Sequence, residues 1–269
     1  MLSRVFTRAF STSSTQKMIV KPVPCFSDNY AYLLLDESSK KAAAVDPVEP
    51  NKVLDALKEY PDYQLVSILT THHHADHAGG NKKMLQLHQD LKCYGGSEQV
   101  QGVTDIVRAG DKLEIGHLQI QPMPTAGHTM DHVCYHVKDK TGDAVFTGDC
   151  LFSSGCGRFF EGSPSDMWKA LSALMELPDE TKVYFGHEYT RANLKFARTV
   201  EPDNKEMQEK WEWAQKTECT TPSTIKNEKL TNPFLRVEAP SVRQAVLKSD
   251  KPAPAQEVLG LLRKMKDRS

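Results

Sequence analysis

The sequence predicts a layered α/β domain with a smaller helical part behind it. Three observations carry that reading. Short apolar runs alternate with helical stretches from Met18 to about His187. Strand-like runs stop after about Tyr189. Three of the strand runs close on a glycine followed by a histidine or an aspartate, as Gly127-His128, Gly148-Asp149 and Gly186-His187.

In chain order, short runs rich in β-branched, aromatic and other apolar residues mark strands over 19–24, 31–35, 41–45, 64–70, 118–123, 133–137, 144–147 and 182–185. Helical spacing marks 51–59, 80–89, 165–176 and 191–199, the third bracketed by Pro164 and Pro178. Strands and helices interleaved in this way pack as layers about one core. Beyond Tyr189, residues 205–216 carry Met207, Trp211 and Ala214 at helical spacing, and 241–247 and 255–266 also read as helices. Loops around Pro222, Pro233, Pro240, Pro252 and Pro254 join them. The expected division is a leader over 1–17, a layered α/β domain over 18–189 and a smaller helical domain over 190–269.

Composition narrows the function. A chain of 269 residues supports one large domain with an appendage. No apolar run reaches the ~18 residues that a membrane span needs. The 34 basic and 35 acidic side chains nearly cancel, which argues against a dedicated nucleic-acid binder. Cys25, Cys93, Cys134, Cys150, Cys156 and Cys219 are scattered with no C-x-x-C pair, and read as reduced thiols. The first acidic residue is Asp28. The segment before it carries Arg4, Arg8, Lys17 and Lys21 among many Ser and Thr, with Leu2, Val5, Phe6 and Phe10 on one helical side. That pattern predicts a mitochondrial transit peptide and a matrix location, with initiation at Met18 yielding a cytoplasmic form.

Four histidines fall within six residues, in Thr71-His72-His73-His74-Ala75-Asp76-His77. The apolar run before them delivers the cluster to a strand end. Alternation sends His72 and His74 to one side and His73 to the other. A turn into a helix brings Asp76 and His77 to the same place. Imidazoles and a carboxylate gathered there predict a metal site for zinc, iron or manganese. His128, Asp149 and His187 can complete it, each at the end of a strand. Five histidines and two aspartates exceed what one four-coordinate ion uses, so two ions bridged by a carboxylate and a water fit the count. His73, His88, His117, His132 and His136 are left as surface or supporting groups, His132 the best candidate for support.

The motif T-H-H-H-A-D-H, followed in order by the His128, Asp149 and His187 motifs, resembles the metallo-β-lactamase superfamily. More narrowly, residues 148–152 leading to Gly155-Cys156-Gly157-Arg158-Phe159-Phe160-Glu161-Gly162 resemble glyoxalase II, the hydroxyacylglutathione hydrolases. So do Gly186-His187-Glu188-Tyr189-Thr190 with residues 193–197, and Thr231-Asn232-Pro233-Phe234-Leu235-Arg236. The resemblance spans about residues 18–267.

It implies a four-layer αββα metallo-β-lactamase sandwich with a C-terminal helical domain and a dinuclear centre, most readily of Zn(2+). His72, His74 and His128 would hold the first ion, Asp76, His77 and His187 the second, with Asp149 bridging. Glutathione contacts would fall to Arg158, Phe160, His187, Tyr189, Arg263 and Lys266. Asp76 and Asp149 would be the catalytic carboxylates. The implied reaction is attack of a metal-bridging hydroxide on the thioester of S-D-lactoylglutathione or a related glutathione thioester. Its products are glutathione and D-lactate, the second step of methylglyoxal detoxification. No nucleic acid and no membrane enters, and the chain is expected to act as a monomer. The rival on the same fold is a glutathione persulfide dioxygenase with one iron; the seven-ligand set and the helical tail count against it.

Overall fold

The computed structural model describes residues 17–248 and 252–269. The leader expected over 1–17 therefore lies, but for Lys17, outside the described residues.

Two six-stranded sheets face each other. The first joins β1 (Met18–Cys25), β2 (Asn29–Asp36), β3 (Lys41–Val45), β4 (Gln64–Leu69), β5 (Lys92–Gly95) and β6 (Asp105–Ile106) in that order. Its first three strands are antiparallel, and β3 to β6 run parallel. Parallel neighbours need a crossover. Helix α1 (Pro50–Leu57) supplies it between β3 and β4. After β4 come the single turn α2 (Ala75–Ala78) and helix α3 (Asn81–Leu87), before β5.

The second sheet has β7 (Leu113–Ile115), β8 (Leu118–Pro124), β9 (Val133–Lys138), β10 (Ala144–Gly148), β13 (Lys182–Phe185) and β14 (Ser223–Thr224). A small hairpin, β11 (Leu151–Phe152) with β12 (Gly155–Cys156), follows β10. Helix α4 (Pro164–Met175) then leads to β13, parallel to β10. Its first turn is fixed by a reciprocal cap between Ser163 and Asp166, a device worth about 1 kcal/mol.

Strand alternation sorts the core. Ala43, Val45 and Leu69 point between the sheets to meet Ile120, Tyr135 and Phe146. Ala42, Ala44 and Ile68 point the other way, under Val53 of α1 and Met84 of α3. Helices lie on both outer faces, which makes the αββα layering. Tyr135, Phe146 and Phe185 are fully buried; each contributes about 1.5–3 kcal/mol of apolar burial. Two tyrosines brace the sheets reciprocally. The Tyr32 hydroxyl of the first sheet donates to the Phe185 carbonyl of the second at 2.5 Å, and that of Tyr135 donates to the Thr70 carbonyl of the first at 2.9 Å.

The tail contributes α5 (Thr190–Val200), α6 (Lys205–Gln215), α7 (Ile225–Thr231), α8 (Pro240–Leu247) and α9 (Ala255–Asp267). It is not wholly helical, as the sequence had indicated. Ser223–Thr224 form β14 and pair antiparallel with Lys182–Val183 at the edge of the second sheet. A two-residue strand shows no alternation to read. β6 and the β11–β12 hairpin, also built of two-residue strands, escaped sequence reading for the same reason; β5 and β7, of four and three residues, lack a continuous buried apolar run. All six cysteines are unpaired, in line with the reduced-thiol reading.

Candidate metal centre

Strands β3, β4, β8, β10 and β13 all release their carboxyl ends at one side of the sandwich, and each end brings a polar residue there. After β4, the extended chain turns His72 and His74 toward one point, with His72 Nε2 3.0 Å from His74 Nδ1. His73 faces away and holds Asp131 at 2.8 Å through Nδ1. The α2 turn then brings Asp76 and His77 back to the same strand end. His128 arrives after β8, its Nε2 3.1 Å from His74 Nδ1. Asp149 follows β10 and His187 follows β13.

Three converging groups result: His72, His74 and His128; His72, His77 and Asp149; and Asp76, His77 and His187. The structure thus assembles all seven residues predicted as ligands. Asp149 stands between the two halves. Its Oδ2 is 3.5 Å from His128 Nε2, and its Oδ1 is 3.3 Å from His77 Nε2 and 3.5 Å from His187 Nε2.

Two glycines allow the approach. Gly148 has a φ of +44° and packs so that a Cβ would lie 2.5 Å from the Thr71 hydroxyl. A Cβ on Gly186 would lie 2.5 Å from Asp149 Oδ1. Side chains there would displace the donors.

The chemistry of the donors fits divalent cations. Asp149 Oδ1 is buried and accepts no hydrogen bond; such an orphaned oxygen is costly unless a cation meets it. Burial lowers His72 and His74 below the usual imidazole range and brings His128 down to about 4, leaving neutral rings with free lone pairs. Burial opposes charge on His77 and His187 too. Beside them the carboxylates, Asp149 foremost, outweigh it, lifting His77 well up and His187 to about 10. Burial alone would raise Asp149, yet His77 and His187 hold it well below the carboxylate range. Asp76 is held low mainly by His187. The cluster therefore attracts positive charge strongly.

Four of the five rings, all but His74, are also aimed from behind, which fixes the nitrogen left free. His77 Nδ1 bonds Asp46 Oδ2 at 2.9 Å, His187 Nδ1 bonds Asp28 Oδ1 at 2.8 Å, and His128 Nδ1 donates to the Arg158 carbonyl at 2.9 Å. Thr71 gives Asp46 both its N–H and its hydroxyl proton, so its oxygen is left to accept from His72 Nδ1 at 3.0 Å. Asn29 donates to Asp76 Oδ2 at 3.2 Å.

Sequence reasoning missed Asp46, Asp28, Asn29 and Thr71. A signal existed for Asp46, an acidic residue directly after a buried strand, as Asp149 is. His132 is the supporting histidine expected: it accepts the Asp149 N–H at 3.2 Å and stacks on His72. His136 is neither at the surface nor near the site; it is buried against Asp143 at 2.9 Å, because its strand position faces away from the carboxyl ends.

A cleft of about 730 Å³ runs from His128 and Asp149 to α5 and α9. All the residues predicted to touch substrate lie on it except His187, which is at its inner end beneath Tyr189. The Tyr189 ring stacks on His187 at 4.7 Å and 4°, and burial pushes its phenol up to about 12. Phe160 is 61% exposed and stands edge-on to the His128 and His74 rings at 5.2 and 5.8 Å. Arg158 is exposed, 3.4 Å from Asp267. Lys266 bonds the Asn193 side-chain oxygen, and burial, with Arg263 adding to it, brings it down to about 8. Arg263 differs from the simple cation expected: it is buried, donating to the Cys156 carbonyl at 3.0 Å and to Asp267 at 3.1 Å. Much of its guanidinium therefore braces the cleft wall.

Residues 27–187 match the family model of the metallo-β-lactamase superfamily, and residues 188–269 that of the hydroxyacylglutathione hydrolase C-terminus. The cytoplasmic hydroxyacylglutathione hydrolase of Arabidopsis thaliana is 49% identical over 231 residues, covering 82% of this chain and 89% of that protein. The hydroxyacylglutathione hydrolase of Dictyostelium discoideum is 42% identical over 268 residues, covering 93% of this chain and all of its own (100%). Among solved structures, ETHE1 from Myxococcus xanthus has a TM-score of 0.64 at 28% identity, covering 93% of this chain and 99% of that one.

Proposed function

The chain belongs to the hydroxyacylglutathione hydrolases of the metallo-β-lactamase superfamily, and from that premise we propose that it hydrolyses the thioester of S-2-hydroxyacylglutathiones. The single observation that carries the reading is one cleft with the His/Asp cluster at its inner end and Lys266 with Tyr189 along its wall. S-D-lactoylglutathione is the substrate we assign, with glutathione and D-lactate as products.

His72, His74 and His128 would hold one ion and Asp76, His77 and His187 a second, with Asp149 between, zinc being the metal we assign. Two such ions supply a water ionised near neutral pH and a Lewis acid for the carbonyl oxygen. The residues do the rest. Asp76 has one carboxylate oxygen tied to Asn29, and its side chain is 44% exposed, so its other oxygen can accept a hydrogen bond from the attacking water and orient it. Phe160 covers the rings of His74 and His128 on the open side and limits competing water. Lys266 meets a carboxylate of the glutathione moiety, fixing the thioester at the inner end of the cleft. The leaving thiolate is stable enough that no dedicated general acid is required.

The test is to incubate purified protein, its metals counted, with S-D-lactoylglutathione and follow loss of the thioester. Rapid hydrolysis with about two metals per chain is expected. Oxygen uptake with glutathione persulfide and one iron per chain would replace this reading with the dioxygenase.

Residues 18–189 are read as the catalytic unit and 190–269 as the substrate-binding unit. We also assign the chain to the mitochondrial matrix, supported by the basic, Ser-rich, acid-free composition before Asp28, with a cytoplasmic form from Met18. A fluorescent reporter carrying residues 1–20 should enter mitochondria; retention in the cytosol would defeat this.

A further inference from the structure

The β11–β12 hairpin lies between the candidate metal donors and the tail. Its tip, Ser153-Ser154, is buried, with Ser154 in the left-handed region at φ +56°. Buried backbone polar groups need partners, and here tail side chains supply them. Ser154 N–H donates to Glu228 Oε2 at 2.7 Å. The Ser153 carbonyl accepts from Asn193 at 2.9 Å. The Phe152 and Gly155 carbonyls accept from Asn232 at 3.2 and 3.0 Å.

Glu228, on α7, is the centre of this group and is completely buried (0% exposed). It also accepts from Lys210 Nζ at 2.6 Å, Ser223 Oγ at 2.5 Å and Asn232 at 3.1 Å. On its other side the hairpin is tied to the donors. Asp149 precedes it by two residues. Phe152 stands edge-on to His187 at 6.0 Å. The strand continues through Gly157, whose N–H donates to the Cys150 carbonyl at 3.4 Å, to Arg158, whose carbonyl holds His128 Nδ1.

We infer that Glu228 is a positioning residue for the metal centre: its buried carboxylate fixes the hairpin that aligns Asp149, His128 and His187. A buried ion pair kept for stability alone can be replaced by apolar residues at little cost. The Ser154 contact instead demands an oxygen at that point, and Lys210 balances the charge that this oxygen carries. Tail and catalytic domain are thus joined at the donors as well as at the cleft.

The inference rests on the metal-centre reading, so the test separates the two. Two double variants of the full chain remove the charges together: Lys210→Met with Glu228→Gln, which keeps an oxygen for Ser154, and Lys210→Met with Glu228→Met, which does not. Each is loaded with Co(II) and titrated with a chelator while its visible absorption is followed. The Gln pair should hold cobalt within about threefold of the unmodified protein. The Met pair should lose about tenfold in retention, the lower end for groups behind metal ligands, with an altered cobalt spectrum. Equal retention and equal spectra in both pairs would overturn the inference. If the Met pair does not fold, Asn232→Ala, which removes a tail grip on the hairpin and a partner of Glu228, should show the tenfold loss, and unchanged retention there would overturn it. Failure of the unmodified protein to bind cobalt would overturn the metal-centre reading itself, a separate result.

Discussion

Asp46 Oδ2 accepts the Nδ1 proton of His77 at 2.9 Å while the same carboxylate takes both the N–H and the hydroxyl proton of Thr71. One buried acid from β3 thereby aims two of the predicted ligands, His77 directly and His72 through Thr71. Asp46→Asn keeps one acceptor and tolerates the backbone φ of +45°, but cannot serve all three donors. Its metal affinity should fall by about 10–100-fold, measured by competition with a chromophoric chelator. Unchanged affinity would show that His77 needs no support.

Asp149 lies within 3.5 Å of histidines from both halves of the cluster. Asp149→Ala should remove activity and metal together, seen by elemental analysis beside a thioester assay. Full activity with two metals bound would reject its bridging place.

The proposed pairing of Lys266 with a glutathione carboxylate can be tested through pH. Its ammonium is charged below about 8 and neutral above, so attraction for a substrate carboxylate is present at low pH and lost as pH rises through that value. KM should increase above pH 8 while kcat changes little, and Lys266→Met should raise KM about tenfold at pH 7 and flatten the profile. The paired change of Arg263 and Lys266 to alanine should raise KM more than it lowers kcat. It should also lower Tm, because Arg263 braces the Cys156 carbonyl. A KM that ignores both substitutions would remove these cations from substrate binding.

Tyr135→Phe removes the hydroxyl that crosses between the sheets to the Thr70 carbonyl. Leaving that buried carbonyl short of a partner should cost about 1–3 kcal/mol by urea denaturation. A smaller loss would mean that the His cluster's strand end is held by its ladder alone.

Gly260 of α9 packs where a Cβ would sit 2.9 Å from Pro164 at the start of α4. Gly260→Val should push α9 outward, costing about 1–3 kcal/mol for overpacking, and raise KM because Lys266 moves with the helix. Wild-type KM and Tm would show that the two helices have room to part.

Much of this was legible in the sequence, and what was not has a physical reason. Strands β3 and β13 were read to the residue, since each is an exposed lysine followed by a continuous buried run of four or three residues. The His72–His77 cluster was legible because alternation in an extended chain and one helical turn are local rules. Asp28 was not, because a carboxylate in a loop acquires its role here only when a distant His faces it across the fold; Asp46 offered only its place after β3. Arg263 lines the cleft, yet its partner, the Cys156 carbonyl, lies 107 residues away and no spacing announces it.

The short pairing of Ser223–Thr224 with β13 has a consequence for how the chain can be cut. Strand β13 lies between β10 and β14, and among the described residues β14 alone covers its outer side. A protein ending after His187 would present that bare ladder to solvent, together with the apolar surface that α5 and α9 now cover. Such an edge recruits further copies of itself. Expressing the metal-binding half alone should therefore yield aggregates rather than a minimal hydrolase.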